Sequence, residues 1–235
     1  MRRLLNRVFI SILKLILYLL LITVAWVLVY RFINPPVTPL MVIRYFQSKT
    51  PYRSIHKTWK GYNDISENLA LAVIAAEDQK FFGHNGFDIE SILEAVEEKR
   101  KGERPRGAST ISQQVAKNLF LWPSRTWLRK GLESYFTFLV ELLWDKKRIL
   151  EVYLNVAEMG NGIYGAEAAA EAYFKKPARN LSRNEAALIA AVLPNPRRMS
   201  PARPSAYVYE RQRWILKQMS NLGSVELLSE SLQPL

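Results

Sequence analysis

From Val8 to Ile33 the chain is apolar except at Ser11, Lys14, Thr23 and Arg31, and from Leu15 to Tyr30 it carries no charge at all. Such a stretch limits the fold more than any other feature. About 20 apolar residues span the hydrocarbon core of a bilayer, and Lys14 lies near enough to one end to extend its ammonium to the headgroups. A cleaved secretory leader would have an apolar core of about 7 to 15 residues followed by a small-x-small site. The sequence RFINPPVTPL offers no such site. The expectation is an uncleaved, single-pass anchor. Arg2, Arg3, Arg7 and Lys14 precede its centre and predict a cytoplasmic N-terminus, with everything after it on the opposite side of the membrane.

A chain of 235 residues leaves room for that anchor and one further domain. Its 33 Lys and Arg outnumber 21 Asp and Glu, for a net charge of +12. This excess points to an anionic partner: lipid headgroups, a pyrophosphate or nucleic acid. Nucleic acid is disfavoured, because the anchor removes the domain from the cytoplasm and no nucleic-acid-binding motif occurs. The absence of cysteine fits an oxidising compartment. With no glycine-rich phosphate loop, nucleotide-sugar or ATP use is not expected.

Pro35, Pro36 and Pro39 break the anchor helix and predict a short stiff linker. Residues 40–63 have weak periodicity and stay unassigned. Helix signals then dominate. Ser66 opens a helix ending near Asp78; Asp88 caps another that Gly102 closes; Thr110 with Gln113 forms a capping box, and that helix stops at Trp122-Pro123. Further helices are expected from Thr126 to Trp144, Ile149 to Met159, Gly165 to Lys175, Ser182 to Leu193 and Tyr207 to Leu222. No strand-length alternation competes, so the predicted class is all-α. The expected division is 1–34 for the cytoplasmic tip and anchor, 35–64 for the linker and lead-in, 65–222 for the catalytic domain and 223–235 for a tail.

Two dense polar motifs stand out in this Ala/Leu-rich background: Glu77 to Asp88 reads EDQKFFGHNGFD, and Gly107 to Asn118 reads GASTISQQVAKN. Three more blocks follow in order: RKGLE from Arg129 to Glu133, KKRILEVYLN from Lys146 to Asn155, and GIYGA from Gly162 to Ala166. The series resembles the peptidoglycan glycosyltransferases, found in bifunctional penicillin-binding proteins and in short monofunctional transglycosylases. Their motifs look like E-D-x-x-F-x-x-H-x-G-x-D and G-x-S-T-I-x-Q-Q-x-x-K-N. No Ser-x-x-Lys with a downstream Lys-Thr-Gly is present, so the resemblance is to the monofunctional kind. It implies a lysozyme-like helical fold with a smaller lobe. It also implies polymerisation of lipid II into linear β-1,4 glycan strands, with inversion at the anomeric carbon and release of polyprenyl pyrophosphate. Expected partners are lipid II, the growing lipid-linked glycan and the bilayer, with cell-wall synthases or divisome proteins as candidates. The expected location is the bacterial cytoplasmic (inner) membrane, with the catalytic domain periplasmic. A divalent cation, Mg or Mn, is allowed by the resemblance, and no organic cofactor is expected.

The smaller lobe is expected to include residues 119–144, where Arg125, Arg129 and Lys130 interleave with aromatics. The stretch reads equally as a membrane-dipping surface or as an ordinary core helix, and the resemblance favours the membrane.

Sugar transfer from a pyrophosphate carrier needs a base for the acceptor hydroxyl, cations for the leaving group, and positioning. Glu77, at the end of an Ala-rich helix, is placed for desolvation and for the negative end of the helix dipole, both of which raise a carboxyl pKa. The family's catalytic glutamate matches Glu77. Asp78 points about 100° away around the helix and is expected to organise the next loop with Phe81, His84, Gly86 and Asp88. Lys117 lies three residues after Gln114 and four after Gln113, and Ser109 and Thr110 open the same helix with amides that favour an anion. Lys117, Arg125 and Arg129 form the expected leaving-group clamp, with Gln114, Ser109, Thr110, Asn118, Lys130 and Lys146 as further substrate contacts. Glu133 follows Arg129 by four and Lys130 by three, so plain intrahelical ion pairs would explain it; the resemblance makes it a second active-site carboxylate. Glu151 and Asn155 are expected to brace the cleft. Two other functions compete: a lysozyme-like hydrolase or lytic transglycosylase, which needs an acid more than a basic clamp, and a non-catalytic lipid II-binding module.

Overall fold

The computed structural model describes residues 2–47, 54–103, 107, 109–124 and 126–225. Ten α-helices form among them, so the all-α expectation holds. The first, α1 (Arg2–Phe32), exposes apolar side chains along most of its length, from Leu4 to Ile22. At about 1.5 Å per residue it is long enough to cross a bilayer with its last turns to spare.

Those last turns dock onto the domain. α5 (Ile111–Phe120) and α6 (Trp127–Leu143) meet them with an aromatic cluster. Phe120 and Phe136 stack at 4.6 Å, and Trp26 of α1 approaches both edge-on. Thr23 shares a 2.7 Å hydrogen bond with Tyr135, and the Trp144 indole N–H donates to the Val27 carbonyl at 3.0 Å. Arg148, from α7 (Lys146–Val156), donates to the Tyr30 and Ile33 carbonyls at 2.9 and 3.2 Å. A guanidinium there answers both the orphan carbonyls and the negative end of α1.

The segment left unassigned in sequence forms α2 (Pro39–Gln47), with proline in the first helical turn and Thr38 accepting from the Met41 N–H. At the centre lies α3 (Glu67–Glu77), whose residues from Leu69 to Ala75 are all buried, against α9 (Arg183–Val192) and α10 (Ala206–Leu222). An apolar helix of this kind can only be a core element. The Thr110–Gln113 and Ser182–Glu185 capping boxes both form. Asp88 caps α4 (Ile89–Arg100) by accepting from the Ser91 N–H. Ser66 sits at the start of α3 but gives its hydroxyl to the Leu181 carbonyl instead of capping.

Two expectations shift. The helix placed at Ile149–Met159 runs from Lys146 to Val156, because Asp145 caps it through the Arg148 N–H. Its expected last residues enter a small three-stranded sheet: β1 (His56–Lys57), β2 (Glu158–Gly160) and β3 (Ile163–Tyr164), in the order β1-β3-β2. β1 pairs parallel and β2 antiparallel to β3. Strands of two or three residues leave no alternation to read. Gly165 then turns the chain into α8 (Ala166–Phe174) at φ +83°, where a Cβ would lie 2.6 Å from the Asn155 carbonyl oxygen.

Candidate active site

α3 delivers Glu77 from its last turn, on a helix whose residues from Leu69 to Ala75 are all buried. One carboxylate oxygen accepts from the Gln114 amide at 2.9 Å, and the other lies 3.6 Å from Arg211 of α10. The Tyr153 hydroxyl, itself fully buried, donates to the Gln114 carbonyl oxygen at 3.3 Å. That contact fixes which end of the amide faces Glu77. Burial pushes the Glu77 carboxyl above its ordinary value, against the opposing pull of Gln114, Arg211 and Lys117.

Asp78 turns the other way and ties the two main motifs together. One of its oxygens accepts the Ile111 N–H at 2.9 Å, at the start of α5, and the other bonds His84 Nε2 at 2.9 Å. His84 Nδ1 accepts from the Gly86 N–H at 3.1 Å, so the ring is neutral and its proton sits on Nε2, facing Asp78. Gly86 adopts φ +87°, and a Cβ there would come within 2.8 Å of Thr137 and 2.9 Å of Glu141. Phe81 is fully buried beneath the loop, and the Lys146 ammonium lies 4.6 Å from its ring centroid.

Second-motif residues divide between scaffold and cleft. Thr110 is buried; it caps α5 and donates to the Gly86 carbonyl at 2.7 Å. Gln113 completes the capping box and Asn118 is buried. Thr110 is thereby part of the scaffold, and the α5 N-terminus already receives the Asp78 carboxylate. Lys146 is likewise engaged, with Glu141 at 2.8 Å and the His84 carbonyl at 2.6 Å, which makes it a brace for the first loop. Ser109 is exposed just ahead of α5.

Lys117 lies on the same helix side as Gln114. Burial lowers its pKa, partly offset by Glu133 and Glu77, and Arg129 and Lys130 lower it further. It therefore sits electrostatically between the two carboxylates. Glu133 is buried on α6 and held by both cations predicted from spacing: Arg129 bonds one oxygen and Lys130 the other, at 2.5 Å. Burial alone would raise the Glu133 pKa, but the hydrogen bonds from Lys130 and Arg129 bring it below the usual value. Arg125 lies outside the described residues. Asn155 clamps the Lys60 backbone from both sides, accepting at 2.8 Å and donating at 2.9 Å. Glu151 accepts the Tyr62 N–H at 3.3 Å and pairs with Arg148 at 2.7 Å. Both fix residues 60–62 against α7.

Sequence reasoning missed Arg211 and the orienting role of Tyr153. Nothing local marks Arg211, since only the packing of α10 on α3 brings it to Glu77. The assembled site offers a largely buried carboxylate with an amide and a guanidinium on one side of Lys117, and a clasped cation pair on the other.

A family model described as "Transglycosylase" matches residues 45–220, and the chain belongs to that family. Among curated relatives, the biosynthetic peptidoglycan transglycosylase of Shewanella oneidensis is 52% identical over 222 residues, covering 94% of this chain and 95% of the relative. Proteins with the same description from Pseudomonas fluorescens and Bdellovibrio bacteriovorus are each 52% identical, over 218 and 211 residues. The first covers 92% of this chain and 91% of the relative; the second covers 89% and 84%.

Proposed function

We propose that this peptidoglycan glycosyltransferase polymerises lipid II, with Glu77 as the base. Glu77 takes the proton of the acceptor GlcNAc 4-hydroxyl while that oxygen attacks the anomeric carbon of the growing lipid-linked chain. The new C–O bond forms as the bond to the polyprenyl (undecaprenyl) pyrophosphate breaks on the opposite face, which inverts the centre and makes a β-1,4 linkage. The electron pair leaves with pyrophosphate, whose charge calls for cations and needs no acid. Lys117 and Arg129 supply them, with Lys130 beside them and Ser109 at the cleft edge. Glu133 positions Arg129 and Lys130, and Gln114 orients Glu77.

One observation carries this reading: the largely buried Glu77 carboxylate, held by Gln114 and Arg211, lies beside Lys117 and the Arg129–Lys130 pair of the neighbouring helices. A hydrolase would have to protonate a poor alkoxide leaving group, and the lysine and arginines would not help it. Among the described residues no group of three or more His, Asp or Glu comes together, and both Glu133 oxygens are taken. These residues do not form a protein cage for Mg or Mn, so no step is routed through a metal.

On this reading the chain passes once through the inner membrane, N-terminus cytoplasmic and domain periplasmic; the length of α1 and the basic residues ahead of its centre support that setting. Trp122, Trp127, Leu128, Phe138 and Leu142 expose large apolar surface in the 119–144 segment, as do Ile89, Leu93 and Val96 on α4. These patches suit a lobe dipping into the lipid from which its substrate is drawn.

The test is to incubate detergent-solubilised protein with labelled lipid II, with and without divalent metal, and to size the products before and after muramidase digestion. Muramidase-sensitive polymer with released polyprenyl pyrophosphate supports the reading. Binding without turnover would favour a lipid II-binding module, and cleavage of added glycan strands a hydrolase.

A further inference from the structure

A second cationic cleft shares no residue with the site around Glu77. Arg44 of α2, Asn161 of the β2–β3 turn, and Asn195, Arg197 and Arg198 beyond α9 line an open cleft of ≈ 430 Å³. Glu158 of β2 lines a small adjoining pocket that shares Arg44, Asn161 and Arg197 with the cleft, and lies 3.8 Å from Arg44 Nε. That distance is an ion pair without a hydrogen bond, and Arg44 Nε, although buried, donates to no described residue. Arg197 and Arg198 are exposed and bond no carboxylate among the described residues. Three guanidiniums thus converge on a cleft with one carboxylate beside it; Arg44 and Arg197 act on that Glu158 carboxyl, whose pKa burial nonetheless raises above its ordinary value. Two asparagine amides supply neutral donors at the same place.

Three guanidiniums gathered at one cleft repel one another unless an anion joins them, and the Arg44 side chain stays 30% exposed there. Planar forks of this kind suit oxyanions with two or more acceptor oxygens. The simple alternative, a solvated basic surface, would spread its arginines apart, whereas here three guanidiniums and two asparagine amides converge on one cleft.

We propose that the Arg44–Arg197–Arg198 cleft is an oxyanion-binding site for a phosphate group, distinct from the Glu77 cleft. The phosphate comes either from an anionic lipid headgroup or from solution, and neither source depends on the glycosyl-transfer reading.

Arginine Nε–Hε NMR on the full chain in nanodiscs tests this. Arg44 is assigned by the resonance lost in Arg44→Gln, which separates this cleft from Arg129. In phosphatidylcholine discs, inorganic phosphate should shift the Arg44 signal saturably, and Arg197→Gln/Arg198→Gln should weaken the apparent affinity about tenfold. A shift already present in phosphatidylglycerol discs without added phosphate, and reduced in the double variant, would identify the headgroup as the source. Both substituted arginines are exposed, so the double variant should fold, and its unliganded spectrum checks that. No saturable shift from either source, or equal shifts in wild type and double variant, would overturn the proposal.

Discussion

Glu133 is buried and Glu77 largely so, on neighbouring parts of one cleft, and their surroundings drive them in opposite directions. Glu77 has one neutral amide and a guanidinium at 3.6 Å, and burial dominates, so its pKa rises. Glu133 has two cations in direct contact, and its pKa falls. Environments that separate two carboxyl pKa values assign two roles: a base that wants a proton and an anchor that keeps its charge. The same contrast fixes opposite signs for stability. A carboxyl raised by folding costs nothing below its unfolded pKa, and the penalty grows as pH rises through the folded value; a lowered one stabilises above its unfolded pKa and loses that as pH falls.

The largest effect should come from breaking the Glu77 side. Glu77→Gln should reduce lipid II polymerisation by about 10³-fold or more, measured as muramidase-sensitive product. The same variant should melt at or above the wild-type temperature at pH 7, and that advantage should vanish near pH 4, where the wild-type carboxyl is protonated. A destabilised Glu77→Gln at neutral pH would erase the contrast. Glu133→Gln should do the reverse in stability, losing about 2 kcal/mol or more at pH 7 because Arg129 is left half-paired in a buried place, with a smaller loss at acid pH. Its activity should fall too, through misplaced cations. Partial recovery in Glu133→Asp would favour the positioning role.

A third effect touches only the scaffold under both. Gly86→Ala should cost about 1–3 kcal/mol in urea melts, from the positive φ together with the contact on Thr137 and Glu141. The loop carrying His84 would move with it, so activity should drop more than stability alone explains.

Local chemistry made much of this legible. Capping boxes at Thr110 and Ser182, the Asp88 cap, the positive φ of Gly86, and the i, i+3 and i, i+4 clasp of Glu133 all depend on residues a few positions apart, which sequence displays directly. What stayed hidden depends on packing. Arg211 reaches Glu77 across 134 positions only because α10 lies along α3. Thr110 and Asn118 belong to the second motif and are both buried, which the motif's letters do not display, because they do not say which side of a helix meets the core. The two- and three-residue strands carry no period at all.

The smallest expected effect is the sharpest check on how Glu77 is held. Tyr153 touches no substrate in this scheme; it only fixes the Gln114 amide. Tyr153→Phe should therefore change stability by about 1 kcal/mol or less and reduce kcat a few-fold with KM unchanged, since the hydrogen bond is long and neutral. The pH–rate profile gives the finer readout. Its acid limb rises as Glu77 deprotonates, above the ordinary carboxyl range, and its basic limb falls as Lys117 loses its proton, below the ordinary lysine value. If Gln114 is released to present its carbonyl oxygen to Glu77, the carboxylate loses a donor and the acid limb should move to higher pH while the basic limb stays. An unchanged acid limb in Tyr153→Phe would mean that Gln114 keeps its orientation without Tyr153, and that the buried hydroxyl serves packing alone.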